Sequence, residues 1–103
     1  MNSDLVSMMT KILTTNHFTK IFNKLSKNQK LAVEKVASIL VNDPLAGESK
    51  TADLAKIRVH KFRMINQLTL LAYKYFLEKE CVELWFLGSH ENFYRDLKNI
   101  LKS

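Results

Sequence analysis

Punctuation is scarce in this chain. Two glycines and one proline in 103 residues leave little room for loops and exclude a linker-rich or collagen-like protein. Mostly regular structure is expected, with one marked loop where Pro44 and Gly47 fall close together. A single cysteine, Cys81, excludes an internal disulfide. No apolar run approaches the roughly 18 residues that a membrane span requires. The first residues lack the basic-then-apolar pattern of an export signal. Together these absences predict a cytoplasmic protein with no membrane partner. Metal-ligand spacing is also missing, because His17, His60 and His90 are far apart and Cys81 has no partner cysteine. There is no glycine-rich phosphate loop and no nucleophilic serine motif. No cofactor is therefore expected.

What the chain does have is an apolar content of 47%, enough to exclude wholesale disorder. Its length suits one domain spanning residues 1–103, with an adequate but modest core. Residues 1–10 read as a ragged N-terminal extension. Sixteen Lys and Arg against ten Asp and Glu give a net charge of +6. Such a surface favours polyanions, whether nucleic acid, anionic membrane or an acidic protein. Charge alone does not choose among them.

Periodicity orders the elements. Lys11-Ile12-Leu13-Thr14-Thr15 has the β-branched content of a short strand. Phe18, Ile21, Phe22 and Leu25 fall at helical spacing and read as core rather than site. Ser26 and Gln29 have the spacing of a capping box that opens a second helix. Ala32, Val36, Ile39 and Leu40 form its apolar stripe, and Asn42-Asp43-Pro44 ends it. The two helices should form an antiparallel hairpin.

After the Pro44–Ala52 loop the period changes to two. Ile57 and Val59 point one way, Arg58 and His60 the other. Phe62 and Met64 then fall on even positions, and a bulge near His60-Lys61 would explain the slip. Asn66 marks a hairpin turn. Leu68, Leu70 and Ala72 alternate with Thr69, Leu71 and Tyr73, so this strand is apolar on both sides and central. Val82, Leu84 and Phe86 alternate with Glu83, Trp85 and Leu87 in a last strand. Ser89 reads as the N-cap of a final helix with Phe93, Leu97, Ile100 and Leu101 on its core side. The fold class is thus α+β: an N-terminal helical hairpin on a small twisted, mainly antiparallel sheet, with a C-terminal helix.

The segment Gly88 to Lys98 concentrates the chemistry. His90 and Tyr94 are one helical turn apart, with Arg95 and Lys98 close by. A histidine at a helix start can serve as the general base for attack on a bound phosphodiester. Tyr94 can stack on a base or donate to a phosphate, although a boundary tyrosine with a wet hydroxyl is the commoner fate. Arg58 and His60 share one strand face that could approach His90, and Arg58 could there stabilise transition-state charge. Lys50, Lys61 and Arg63 extend the basic surface. The ordinary alternative for each is a solvated face.

Taken in order, several segments resemble the RelE/ParE superfamily of toxins from bacterial type II toxin–antitoxin systems. They are Phe18-Thr19-Lys20 leading to Lys24-Leu25; Asp43-Pro44-Leu45-Ala46-Gly47-Glu48-Ser49-Lys50; Leu54 with Ile57-Arg58-Val59 and Lys61-Phe62-Arg63-Met64; Gln67-Leu68 with Leu70-Leu71-Ala72-Tyr73; and Gly88 to Lys98. The resemblance runs from about Ile12 to Lys98. It implies a RelE-like fold and a metal-independent mRNA endoribonuclease acting on translated mRNA at the ribosome. In that chemistry the ribose 2′-hydroxyl attacks the adjacent phosphate. The resemblance assigns proton transfer to His90, charge stabilisation to Arg58 and stacking or orientation to Tyr94. RNA contacts fall to Lys50, His60, Lys61, Arg63 and Arg95, with Glu48 an outside candidate for proton transfer. It also implies a cognate antitoxin and a toxin–antitoxin hetero-oligomer. The ParE branch of the same superfamily instead binds and inhibits DNA gyrase, which is the alternative.

Overall fold

The computed structural model describes residues 10–50 and 56–102. Their elements are β1 (Lys11–Thr14), α1 (Asn16–Asn23), α2 (Lys27–Asn42), β2 (Glu48–Ser49), β3 (Arg58–Met64), β4 (Gln67–Phe76), β5 (Cys81–Ser89) and α3 (Phe93–Lys102). The strands form one five-stranded sheet in the order β1-β5-β4-β3-β2. β1 runs parallel to β5, and every other neighbouring pair is antiparallel. The expected α+β architecture is present. The readings made for Met1–Met9, Thr51, Ala52 and Leu54 lie outside the described residues.

Local chemistry sets the helix ends. The Thr15 hydroxyl accepts from the Phe18 amide at 3.1 Å and opens α1. Ser26 and Gln29 exchange both bonds of a capping box, at 2.9 and 3.2 Å, and open α2. Proline follows the C-cap Asp43, so α2 stops where the sequence indicates.

The sheet has a core on each face. On the first face the hairpin contributes Phe18, Val33, Val36 and Leu40, packed on Met64, Leu71, Tyr73, Val82, Leu84 and Leu87. On the other, α3 contributes Phe93 and Leu97, packed on Ile57, Val59, Leu70, Ala72 and Phe86. β4 lies third of five strands and feeds both cores, which is why it is apolar on both sides.

Four expectations need correction. Ile39 is 48% exposed, and Val33 takes its place in the core, because α2 meets the sheet along Val33, Val36 and Leu40. The loop after Pro44 contains the short strand β2, paired with the start of β3. β3 has no bulge: it pairs with β4 without interruption from Arg58↔Tyr73 to Met64↔Gln67. The irregularity lies between Ala72 and Tyr73 of β4, where β5 steps from Phe86 to Leu84 and Trp85 is the extra residue. Val82 and Leu84 consequently face the hairpin, whereas Phe86 joins the α3 side. Finally, Ser89 ends β5 instead of capping α3. His90, Glu91 and Asn92 form a turn, and the helix ladder begins with Asp96 N–H to the Asn92 carbonyl at 3.0 Å.

The β3–β4 turn uses Ile65 and Asn66, both at positive φ, 51° and 68°. A two-residue hairpin loop needs that geometry at both positions. Asn66 accepts it readily; Ile65, branched at Cβ, does so under strain. Among the described residues no helix is long and apolar enough to cross a membrane.

Candidate functional site

Uninterrupted pairing in β3 decides which side chains can meet. Phe62 and Met64 pack against the hairpin core, so the even positions Arg58 and His60 lie on that face. Ile57 and Val59 lie under α3, and Lys61 shares their side. β2 adds to this second face. Glu48 pairs with Val59, and the Lys50 amide donates to the Ile57 carbonyl at 2.8 Å. Glu48 and Lys50 therefore project toward α3, with Ser49 between them projecting away.

There Lys50 meets two partners. Its ammonium forms an ion pair with Glu48 and sits 5.5 Å from the centroid of the Tyr94 ring. Tyr94 stands in the first turn of α3, half-buried, with its ring edge-on to Phe93 at 5.1 Å and 88°. The Lys50 side chain is 26% exposed and that of Glu48 is 68% exposed, so the carboxylate is the open end of the pair. The hydrogen bond to Glu48 raises the Lys50 pKa above its ordinary 10.5, helped by Tyr94 and opposed by desolvation. The same hydrogen bond and the Lys50 charge lower the Glu48 pKa below 4.5, opposed by desolvation and aided least by Lys61. Both groups are thus charged throughout the neutral range. The trio offers a fixed cation, an accessible carboxylate and an aromatic hydroxyl within one short span, with Lys61 beside it.

The remaining sequence candidates are dispersed. His90 is exposed in the turn before α3, not on its first turn, and no hydrogen bond or ring contact joins it to Tyr94 or Lys50 among the described residues. Arg95 is exposed and pairs with Asp96 at 3.2 Å. Arg63 lies at the open margin of β3, bordering a groove with Asn28, Leu31 and Lys35 of α2. His60 stacks on Phe62 at 6.3 Å on the hairpin side, where burial pushes its imidazole below the usual 6.5. The Arg58 guanidinium is engaged with the Gly47 carbonyl (Nε, 3.1 Å) and the Leu45 carbonyl (Nη2, 3.1 Å). The anticipated meeting of Arg58 and His60 with His90 does not occur, because strand alternation sets them opposite Ile57 and Val59, the side that α3 covers.

Glu48, an outside candidate in the sequence, is the partner that Lys50 meets. The available signal was the spacing Glu48-x-Lys50, which puts both side chains on one face of an extended segment. Among the described residues no group of His, Cys, Asp or Glu side chains is arranged to hold a metal ion.

Comparison with known proteins bears on this geometry. A family model described as a ParE-like toxin of type II bacterial toxin–antitoxin systems matches residues 12–98. No curated protein matches the chain. Among solved structures, an arginine-to-alanine double mutant of the E. coli toxin RelE in the free state aligns with a TM-score of 0.71 and 16% identity, covering 90% of this chain and 96% of that one. A chain of the intact E. coli RelBE toxin–antitoxin complex gives 0.65 and 18%, covering 80% and 98%. The archaeal RelE–RelB complex from Pyrococcus horikoshii gives 0.59 and 14%, covering 81% and 98%. At such identities these likenesses establish the shared fold.

Proposed function

This chain belongs to the ParE-like toxins of type II bacterial toxin–antitoxin systems, and from that premise we propose that it is an mRNA endoribonuclease. The observation that carries the reading is Lys50, held between Glu48 and Tyr94 with Lys61 alongside. RNA brings its own nucleophile, the 2′-hydroxyl, so the protein has only to move protons and balance charge. Glu48 takes the 2′-hydroxyl proton as the O2′–P bond forms. Lys50 and Lys61 offset the charge that builds on the non-bridging oxygens. Tyr94 orients the scissile phosphate or stacks on the neighbouring base. As the P–O5′ bond breaks, the departing oxygen takes a proton from His90, the exposed imidazole of the turn that leads into α3. The products are a 2′,3′-cyclic phosphate and a 5′-hydroxyl.

The substrate in this reading is translated mRNA at the ribosome in the cytoplasm, and the net charge of +6 suits that polyanionic setting. Arg63 and Arg95 lie outside the trio and serve as backbone contacts. A cognate antitoxin restrains the toxin in a hetero-oligomer. The neighbours solved as RelBE and RelE–RelB complexes support this expectation.

One observation favours a second reading: the matching family model is described as ParE-like. A ParE-type toxin would bind and inhibit DNA gyrase. Brief induction of the toxin, with mapping of RNA 5′ ends and assay of gyrase in the same cells, separates the two. New 5′ ends within translated codons, lost in the Lys50→Ala variant, support the nuclease. Unchanged RNA with inhibited gyrase overturns it.

A further inference from the structure

We infer that Arg58 and Tyr73 are positioning residues: they clamp the turn from Pro44 to Gly47 on the hairpin face and thereby set Glu48 and Lys50 against Tyr94 on the other face. The inference deepens the nuclease reading and rests on it for its activity arm.

Arg58 and Tyr73 are direct cross-strand partners in β3 and β4. Tyr73 is fully buried, yet its hydroxyl is doubly engaged. It donates to the Pro44 carbonyl at 2.7 Å and accepts from the Gly47 amide at 2.9 Å. Burial raises the Tyr73 pKa above 10, with the Gly47 amide and Arg58 opposing, so the phenol keeps the proton it donates. Arg58 adds its bonds to the carbonyls of Leu45 and Gly47. The backbone from Pro44 to Gly47 is therefore held by four side-chain hydrogen bonds from two adjacent residues. Gly47 permits the close approach: a Cβ there would lie 2.7 Å from both Cε1 and the hydroxyl oxygen of Tyr73.

The clamp bears directly on the trio. Glu48 is the residue after Gly47, and Lys50 lies two further on. β2 is only two residues long, too short to fix its own register against β3. An edge segment of this kind opens at low free energy unless something else ties it down. The clamp is that tie, and it lies on the face away from the substrate. Arg58 consequently acts on the reaction only through the placement of Glu48 and Lys50. This role differs from direct phosphate contact, and the two make opposite predictions in combination with Lys50→Ala.

The test uses the full chain with Arg58→Lys, which keeps the charge and loses the fork, and Tyr73→Phe, which loses only the hydroxyl. The first arm is hydrogen exchange at the Lys50 amide, which needs no activity. Protection at Lys50 falls about tenfold or more in either variant, while that of Leu71 in the central strand holds. The second arm is RNA cleavage. Arg58→Lys lowers kcat by about 10- to 100-fold with KM nearly unchanged, and this loss shrinks in the Lys50→Ala background to the part that acts through Glu48. Undiminished protection at Lys50 overturns the proposal. So does a loss that multiplies with that of Lys50→Ala, since independent losses mean that Arg58 touches the phosphate itself. If the unsubstituted chain cuts no RNA, the nuclease reading fails and the exchange arm alone decides the clamp. Should Tyr73→Phe not fold, Arg58→Lys carries both arms.

Discussion

On the hairpin face of the sheet, Arg58 is half-buried and bonded to two backbone carbonyls of the preceding turn. On the α3 face, Lys50 is partly exposed, paired with a carboxylate and set over a tyrosine ring. Lys50 directly follows β2, whose Ser49 pairs with Arg58 of β3. One cation is held by backbone carbonyls, the other by a carboxylate and an aromatic ring. A cation in a sequence is thus only a candidate; the sheet face on which it lands, and the backbone groups waiting there, decide whether it holds the fold or meets a ligand. Here the hairpin face anchors and the α3 face presents.

That contrast can be broken most forcefully at the anchoring face. Leu40 is fully buried between α2 and the sheet. Leu40→Ala should reduce stability by about 2–5 kcal/mol while leaving cleavage per folded molecule unchanged. Chemical denaturation and an active-fraction-corrected cleavage assay measure both, and a specific-activity loss in well-folded protein would blur the distinction between faces. Gly47→Ala comes next. Its Cβ would press on a buried ring, so stability should fall by about 1–3 kcal/mol. Here, unlike at Leu40, specific activity should fall too, because the turn leads directly into Glu48.

Two smaller effects are expected, one at Glu48 and one at Ile65. The folded Glu48 pKa is depressed, so its charge persists as pH falls until that lower value is passed. The acid limb of the cleavage profile should therefore lie below pH 4.5, the ordinary carboxylate value, and Glu48→Gln should remove that limb along with most of the activity. An acid limb above 4.5 would point to a different base. At the far tip of the β3–β4 hairpin, Ile65→Asn should stabilise the chain by about 0.5–1 kcal/mol, because asparagine tolerates φ 51° better than isoleucine. Thermal unfolding reads this, with cleavage unaffected.

Features set by short-range spacing were legible in the sequence. The capping box of Ser26 and Gln29, the stop at Pro44, the turn at Asn66 and the double-sided β4 depend on neighbours a few residues apart. Non-local pairing was not legible. The bulge at Trp85 forms where β5 lies against Ala72 and Tyr73, and nothing within β5 announces it; the parity change was instead assigned to β3, where Phe62 and Met64 appeared to slip. Nor does the sequence say which side of β3 α3 covers: it packs on Ile57 and Val59, away from Arg58 and His60. β2 was missed because a two-residue strand carries no periodicity. Val33 and Ile39 were exchanged because an apolar stripe on a helix fixes which residues are greasy, and only packing angle decides which of them the sheet covers. Tyr94 and Lys50 were both named as candidates, but their meeting depends on the Arg58–Tyr73 clamp, which joins residues far apart in the chain.

Whether the α3 face carries RNA chemistry is tested most directly by end-group analysis of a translated mRNA incubated with the purified toxin. The prediction is fragments with a 5′-hydroxyl and a 2′,3′-cyclic phosphate, reduced about 100- to 1000-fold by Lys50→Ala. Intact RNA, or equal cleavage by the Lys50→Ala variant, would contradict it.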